Sequence, residues 1–270
     1  MDVNAYLKRI HFLGTCITDI SALEKLIQAH IMAVPFENID IQLRCPIVLD
    51  TSSLFRKVVL NERGGYCYEL NGLFGALLKA IGFQVHYISG SITKGKNVGP
   101  LYDHLALVVV IDSQRWLVDV GFGDFSMKPL LIDNTHPQFD GQHYYQIQPK
   151  DNNYIVGKWL PEHNHFMSEY VFSLLPRQLD EFKDINDIKQ SQPDSLFTQN
   201  LICTIPTTNG RTTLINNRLI QTIGKKKTET TLTDNDAIWS VLIKHFNAPE
   251  MENSKGVPFC FEALHTYHQS

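Results

Sequence analysis

The stretch best suited to nucleophilic chemistry is "RGGYCYEL", residues 63–70, in which two glycines precede Cys67 and tyrosines flank it. From Leu70 onward, Leu73, Phe74, Leu77, Leu78 and Ile81 keep the spacing of one apolar helix face, closed by Gly82. Cys67 is therefore expected in the first turn of a helix of about four turns. A thiol there feels the positive end of the backbone dipole and N–H groups without helical partners, both of which favour a thiolate. The same N–H groups suit a developing oxyanion. The competing reading is a small buried hydrophobe, the ordinary fate of a free cysteine.

A nucleophilic cysteine needs a base, and the base needs an orienting group. Of the eleven histidines, His104 begins the strand-like run "HLALVVVI", where a hydrogen-bonded ladder can fix its position. Asp119 interrupts the apolar strand pattern of "RWLVDVGF" and calls for a buried partner. Both residues also fit plain strand-end roles. A two-residue turn at Ser113-Gln114 puts them on one face but four residues apart, about 13 Å along the strand. Contact then needs strong twist, a bulge or another register. Asp103 neighbours His104 but points to the opposite face, so it is the poorer orienting group. Arg63 and Glu37 offer a pair able to pin the glycine turn. From the residues alone, two solvated surface charges is the plainer reading of that pair.

Other charged and metal-type motifs carry less. "GKKK" at 224–227 offers point charges for phosphate, but such runs are usually solvated hairpin tips. "HNH" at 163–165 has no cysteine or carboxylate to complete a metal set, so no metal is assigned.

These groups need a scaffold, and 270 residues suffice for a large core without staples. Hydrophobic residues make up 43% and charged residues 19%, which excludes a disordered chain. A net charge of -4 argues against nucleic-acid and membrane-surface binders. The start "MDVNAYLKRI" lacks the pattern of a secretory signal, and no apolar run has bilayer length. Five scattered cysteines (Cys16, Cys45, Cys67, Cys203, Cys260) form no CxxC pair and fit reduced thiols in the cytoplasm.

Texture changes twice along the chain. Residues 1–82 read helical: Ser21 and Glu24 form a capping-box pattern, Pro35 ends that helix, and a second helix is expected from Ser52 to Leu60, stopped by Gly64-Gly65. Residues 83–176 read as strands, in "FQVHYISG", "HLALVVVI", "RWLVDVGF", "HYYQIQ" and "YIVGKWL". Residues 177–270 mix both. A helix is expected from about Arg177 to Lys189, then strands around an Asn209-Gly210 turn, then a helix from near Asp234. The expectation is an α+β protein of three segments, 1–82, 83–176 and 177–270.

Four stretches, in order and at consistent spacing, resemble one family. "VPFENIDI" at 34–41, "RGGYCYELN" at 63–71, "DHLALVV" at 103–109 and "VDVGFGD" at 118–124 are similar to the arylamine N-acetyltransferases. The tail around "NLICTIPTTNGRTTL" is similar too, so the resemblance covers nearly the whole chain.

The resemblance implies an N-terminal helical bundle, a central β-barrel and a C-terminal α/β lid, around a core like that of cysteine proteases. It implies a Cys67–His104–Asp119 triad, supplying the contact that strand counting leaves open. It implies support from Arg63, Glu37 and Asn71, an aromatic substrate wall of Phe36 and Phe122, and cofactor contact at Phe122 and Gly123. The implied activity is acetyl transfer from acetyl-CoA to arylamines, arylhydrazines or arylhydroxylamines by ping-pong through acetyl-Cys67. Partners are then small-molecule acceptors, with no nucleic acid and no membrane. Leu70, often polar in relatives, and "GPLYDH" before His104 depart from the pattern. The rival reading is a papain-like or transglutaminase-like cysteine hydrolase or amide transferase, which uses the same Cys…His…Asp order.

Overall fold

Helical periodicity dominates the first third of the chain, and helices form there: Val3–Arg9, Ile20–Ala33, Thr51–Phe55 and Cys67–Ile81. The computed structural model describes residues 1–249; Cys260, and residues 250–270 of the third expected segment, lie outside them. The Ile20–Ala33 helix is capped by Asp19, whose carboxylate accepts from Ala22 N at 2.7 Å. An aspartate two residues earlier thus takes the role expected of Ser21. Thr51–Phe55, capped by Asp50, runs into a π-helical turn, Arg56–Leu60, and stops before Gly64 rather than at it. The Cys67–Ile81 helix begins and ends as its periodicity predicts, with Gly82 in the left-handed region at φ +115°. Its Leu70, Leu73, Phe74, Leu77 and Leu78 are fully buried. They pack with Leu23, Leu26 and Ile27, and with Leu105, Leu107 and Val109 of the neighbouring sheet.

That sheet is antiparallel and nine-stranded, nearly closed into a barrel shape. Its path runs Leu130–Leu131, Gln114–Val118, His104–Ile111, Gln84–Lys94, His165–Phe172, Asn153–Leu160, Tyr144–Lys150 and Gln138–Phe139, with Asn97–Val98 paired off the Gln84–Lys94 strand. The two ends meet through a side chain. Gln138 accepts from Leu131 N at 2.8 Å and donates to Leu131 O at 3.0 Å, imitating a strand pairing. The expected strand "RWLVDVGF" ends early, at Val118, so Asp119 begins a loop. The hairpin turn is Asp112-Ser113, both at positive φ, not Ser113-Gln114, because Ile111 pairs with Gln114. That shift of one residue sets the register on which the site depends.

The second sheet has five antiparallel strands in the order Phe36–Glu37, Ile202–Thr207, Gly210–Ile215, Arg218–Ile223 and Lys226–Thr231. Its first strand comes from "VPFENIDI", so the early chain forms one edge of the late sheet. Thr207 pairs with Gly210, placing the hairpin turn at Thr208-Asn209, one residue before the expected pair. The helix Asn235–Phe246, capped by Asp234, buries Ile238, Leu242 and Phe246 with Leu214 and Leu219 of this sheet. Between the sheets, the single helix expected from Arg177 divides into a 3-10 turn, Leu179–Phe182, and an α-helix, Lys183–Ser191. Among the described residues no helix is long and apolar enough to cross a membrane.

Candidate active site

Cys67 is the first residue of its helix, and Tyr66 is the cap. The two glycines before it allow a close approach. A Cβ on Gly64 would lie 2.2 Å from Pro35 O and 2.7 Å from Glu37 Cγ; one on Gly65 would lie 2.9 Å from Glu69 Cβ. Gly65 instead packs flat on the Phe36–Glu37 strand, accepting from Glu37 N at 2.8 Å. Glu69 Oε2 accepts from Tyr66 N at 3.0 Å, which fixes the first turn of the helix.

Arg63 and Glu37 are buried, not solvated, and the reading of them as surface charges is corrected. Arg63 Nη2 lies 3.0 Å from Glu37 Oε1 and 2.8 Å from Asp40 Oδ1. Lys57 Nζ completes the cluster, 2.7 Å from Asp40 and 2.8 Å from Glu69. Three carboxylates thus share two cations beneath the glycine turn. Burial lifts Glu69 to about 7 despite the opposing pull of Lys57, and Glu37 adds to the lift. Burial pushes Asp40 up, but Lys57 and Arg63 more than offset this and hold it below its ordinary value. Asp40 shares the segment "VPFENIDI" with Glu37, whereas Lys57 sits in the apolar run "FRKVVL", where only its charge marks it.

His104 heads its strand, with Nε2 2.6 Å from Asp119 Oδ2. Leu107 pairs with Val118, and continuing this register sets Asp119 across from Ala106. The offset from His104 is then two residues, about 7 Å along the strand, which side chains on one face can bridge. Asp119 Oδ1 accepts from Asn71 Nδ2 at 2.8 Å and from Gly121 N at 3.0 Å. Asn71 also donates to Leu105 O at 2.7 Å and accepts from Val120 N at 2.9 Å. It therefore ties the Cys67 helix to the histidine strand and to the aspartate loop.

The loop itself closes onto the thiol: a Cβ on Gly121 would lie 2.8 Å from Cys67 Cα. Cys67, His104 and Asp119 are 5%, 2% and 3% exposed, so water is largely excluded. Burial alone pushes the His104 imidazole down, but Asp119 reverses this and raises it to about 10, with the Cys67 thiol adding to the rise. Nε2 is committed to Asp119, which leaves Nδ1 for Cys67.

Aromatic rings frame the imidazole. Phe122 meets His104 edge-on at 5.4 Å, and Tyr170 packs on it at 5.0 Å. The Tyr170 hydroxyl, deeply buried, feels the Asp119 charge without meeting hydrogen-bond geometry. Nothing in the spacing of "SEYVF" pointed to Tyr170. Phe36 lies beside Gly123, the residue after Phe122, its Cγ 3.5 Å from the position of a Gly123 Cβ. Among the residues expected from the sequence and the resemblance, the structure joins His104 to Asp119, Asn71 to Asp119, Phe122 to His104 and Arg63 to Glu37, sets Phe36 beside Gly123, and adds Asp40, Lys57, Glu69, Gly121 and Tyr170 as neighbours. Asp103 turns elsewhere, pairing with Lys189 at 2.6 Å. Lys226 and Lys227 lie on an exposed edge strand and Gly224-Lys225 form its turn. A groove of about 1350 Å³, lined by residues that include Ile41, Ile47, Asn186 and Gln190, contains none of Cys67, His104 or Asp119.

Residues 19–252 match the family model described as N-acetyltransferase. The arylamine N-acetyltransferase / N-hydroxyarylamine O-acetyltransferase of Salmonella typhimurium is 32% identical over 217 residues, covering 79% of this chain and 76% of the relative. Arylamine N-acetyltransferase 1 of Homo sapiens is 31% identical over 230 residues, covering 78% and 79%. The solved Salmonella typhimurium enzyme superposes with a TM-score of 0.86 at 28% identity, over 93% of each chain. Mycobacterium marinum arylamine N-acetyltransferase in complex with CoA gives a TM-score of 0.82 at 26% identity, over 89% of this chain and 90% of that one. The chain belongs to the arylamine N-acetyltransferase family.

Proposed function

We propose that the protein acetylates arylamines and arylhydrazines on nitrogen, and arylhydroxylamines on oxygen, taking the acetyl group from acetyl-CoA by ping-pong through acetyl-Cys67. The observation that carries this reading is the His104–Asp119 pair, 2.6 Å apart and buried beside a thiol at the first position of a helix. A raised imidazole favours an ion pair with the Cys67 thiolate. The sulfur attacks the thioester carbonyl, and the oxyanion is held at the helix N-terminus. Collapse breaks the bond to coenzyme A, whose sulfur takes the proton from His104. The acceptor nitrogen then attacks the acetyl-cysteine, His104 receives its proton, and the Cys67 thiolate leaves. Asp119 holds the imidazole orientation and stabilises its charged form throughout.

In this reading Arg63, Glu37 and Asn71 hold the thiol and the carboxylate in place. Phe36 and Phe122 flank the aromatic acceptor, and Phe122 and Gly123 meet the acetyl end of coenzyme A. Residues 1–82 act as a helical bundle carrying Cys67, 83–176 as the barrel carrying His104 and Asp119, and 177–270 as the lid. The setting we infer is the cytoplasm, supported by the free thiols of Cys16, Cys45, Cys67 and Cys203. Incubation with acetyl-CoA alone should acetylate Cys67, and an arylamine added afterwards should discharge it. Cleavage of peptide or amide bonds without either partner would instead support a cysteine hydrolase.

A further inference from the structure

Arg211, on the Gly210–Ile215 strand, reaches from the smaller sheet to the loop that follows Asp119. Its Nη1 donates to Gly123 O at 2.6 Å and to Thr204 Oγ1 at 3.0 Å. Its Nη2 lies 3.1 Å from Asp124 Oδ1, and Lys158 Nζ, from the larger sheet, holds Asp124 Oδ2 at 2.8 Å. Gly123 directly follows Phe122, and Thr204 pairs with Phe36 across the sheet. One guanidinium therefore contacts the chain neighbour of Phe122 and the cross-strand neighbour of Phe36. Gly123 itself, at φ +94°, leaves little room: a Cβ there would lie 3.3 Å from Thr204 Cγ2.

We propose that Arg211 is a positioning and specificity-determining residue, which sets the separation of Phe36 and Phe122 and so the room for the aromatic acceptor. The proposal rests on the reading that acetyl-Cys67 is attacked by an arylamine lying between those rings. A guanidinium presents donors in a fixed plane, so it satisfies carbonyl, hydroxyl and carboxylate together; a lysine ammonium does not reproduce that geometry. The Asp124 side chain is 52% exposed, so its ion pairs add little to global stability. Burial pushes its carboxyl up, but Arg211 and Lys158 hold it below the ordinary value, keeping the bridge charged through neutral pH. Loss of Arg211 should loosen the loop without unfolding the chain.

The test compares wild type with Arg211→Met, Arg211→Lys and Asp124→Asn, using acetyl-CoA with aniline and with 2-naphthylamine. Arg211→Met should raise KM for both amines about tenfold and shift their kcat/KM ratio by about threefold or more. Acetylation of Cys67 also passes the Phe122–Gly123 loop, but it precedes amine binding and cancels from the ratio for the two amines, so a shifted ratio is a result that general destabilisation does not produce. Arg211→Lys should fall between, and Asp124→Asn, which keeps the Gly123 and Thr204 bonds, should change least. If Arg211→Met does not fold, the selectivity shift must appear in Arg211→Lys. Normal acetylation with unchanged KM and selectivity overturns this proposal alone. A wild type that takes no acetyl group on Cys67 overturns the proposed function and this proposal with it.

Discussion

Asn71 Nδ2 lies 2.8 Å from Asp119 Oδ1, joining the helix that begins at Cys67 to the loop that orients His104. Asn71 is fully buried, and three groups, Leu105 O, Asp119 Oδ1 and Val120 N, meet its amide. Asn71 therefore ties the helix that carries the thiol to the strand and loop that carry the imidazole and its carboxylate.

Removal of that link is the first prediction. Asn71→Ala strands Val120 N and removes one of the two donors to Asp119 Oδ1, costing about 1–3 kcal/mol of stability. Thermal unfolding should record that loss. Acetyl transfer should fall further than stability does, by about a hundredfold, as small misplacements of reacting groups do.

The buried charge cluster makes a second prediction. Arg63→Met leaves Glu37 and Asp40 short of a cation and should destabilise by about 3–5 kcal/mol in urea unfolding. A cost below about 1 kcal/mol would mean that the cluster is solvated after all.

Close approach of the glycine turn gives a third. Gly64→Ala forces a Cβ to 2.2 Å from Pro35 O, a backbone atom that cannot swing aside. Either the turn shifts or folding suffers by about 1–3 kcal/mol or more. Alkylation of Cys67 by iodoacetamide should slow relative to wild type as the helix start moves.

A fourth prediction concerns pH. His104 is raised from 6.5 to about 10, so its stabilisation is fully present below pH 6.5 and is lost as pH rises through about 10. The stability gap between wild type and His104→Gln should therefore narrow across that window. Glu69, raised from 4.5 to about 7, binds its proton more readily in the folded chain, so its contribution also weakens as pH rises, between 4.5 and 7. Glu69→Gln should flatten that lower part of the profile. Urea unfolding at a series of pH values separates the two windows.

The sequence made the Cys67 helix legible because the apolar spacing from Leu70 to Ile81 and a closing glycine agree on one face. The His104–Ile111 strand was legible for a similar reason, an unbroken run of branched residues. The contact between His104 and Asp119 was not legible from spacing. It depends on whether the chain turns at Asp112-Ser113 or one residue later, and the polar residues Asp112, Ser113 and Gln114 permit either. The Lys57–Glu69 bond and the position of Tyr170 are long-range facts of packing, with no periodicity to announce them. Family resemblance filled the first gap, and only the structure filled the others.

The most direct test of the central claim is mass spectrometry of the protein mixed with acetyl-CoA and no acceptor, followed by peptide mapping. One acetyl group is expected, on Cys67, lost on addition of an arylamine at the rate of turnover and absent from Cys67→Ala. A Cys67→Ala protein that still turns over, or a wild type that acetylates amines without acetyl-Cys67 forming, would contradict it.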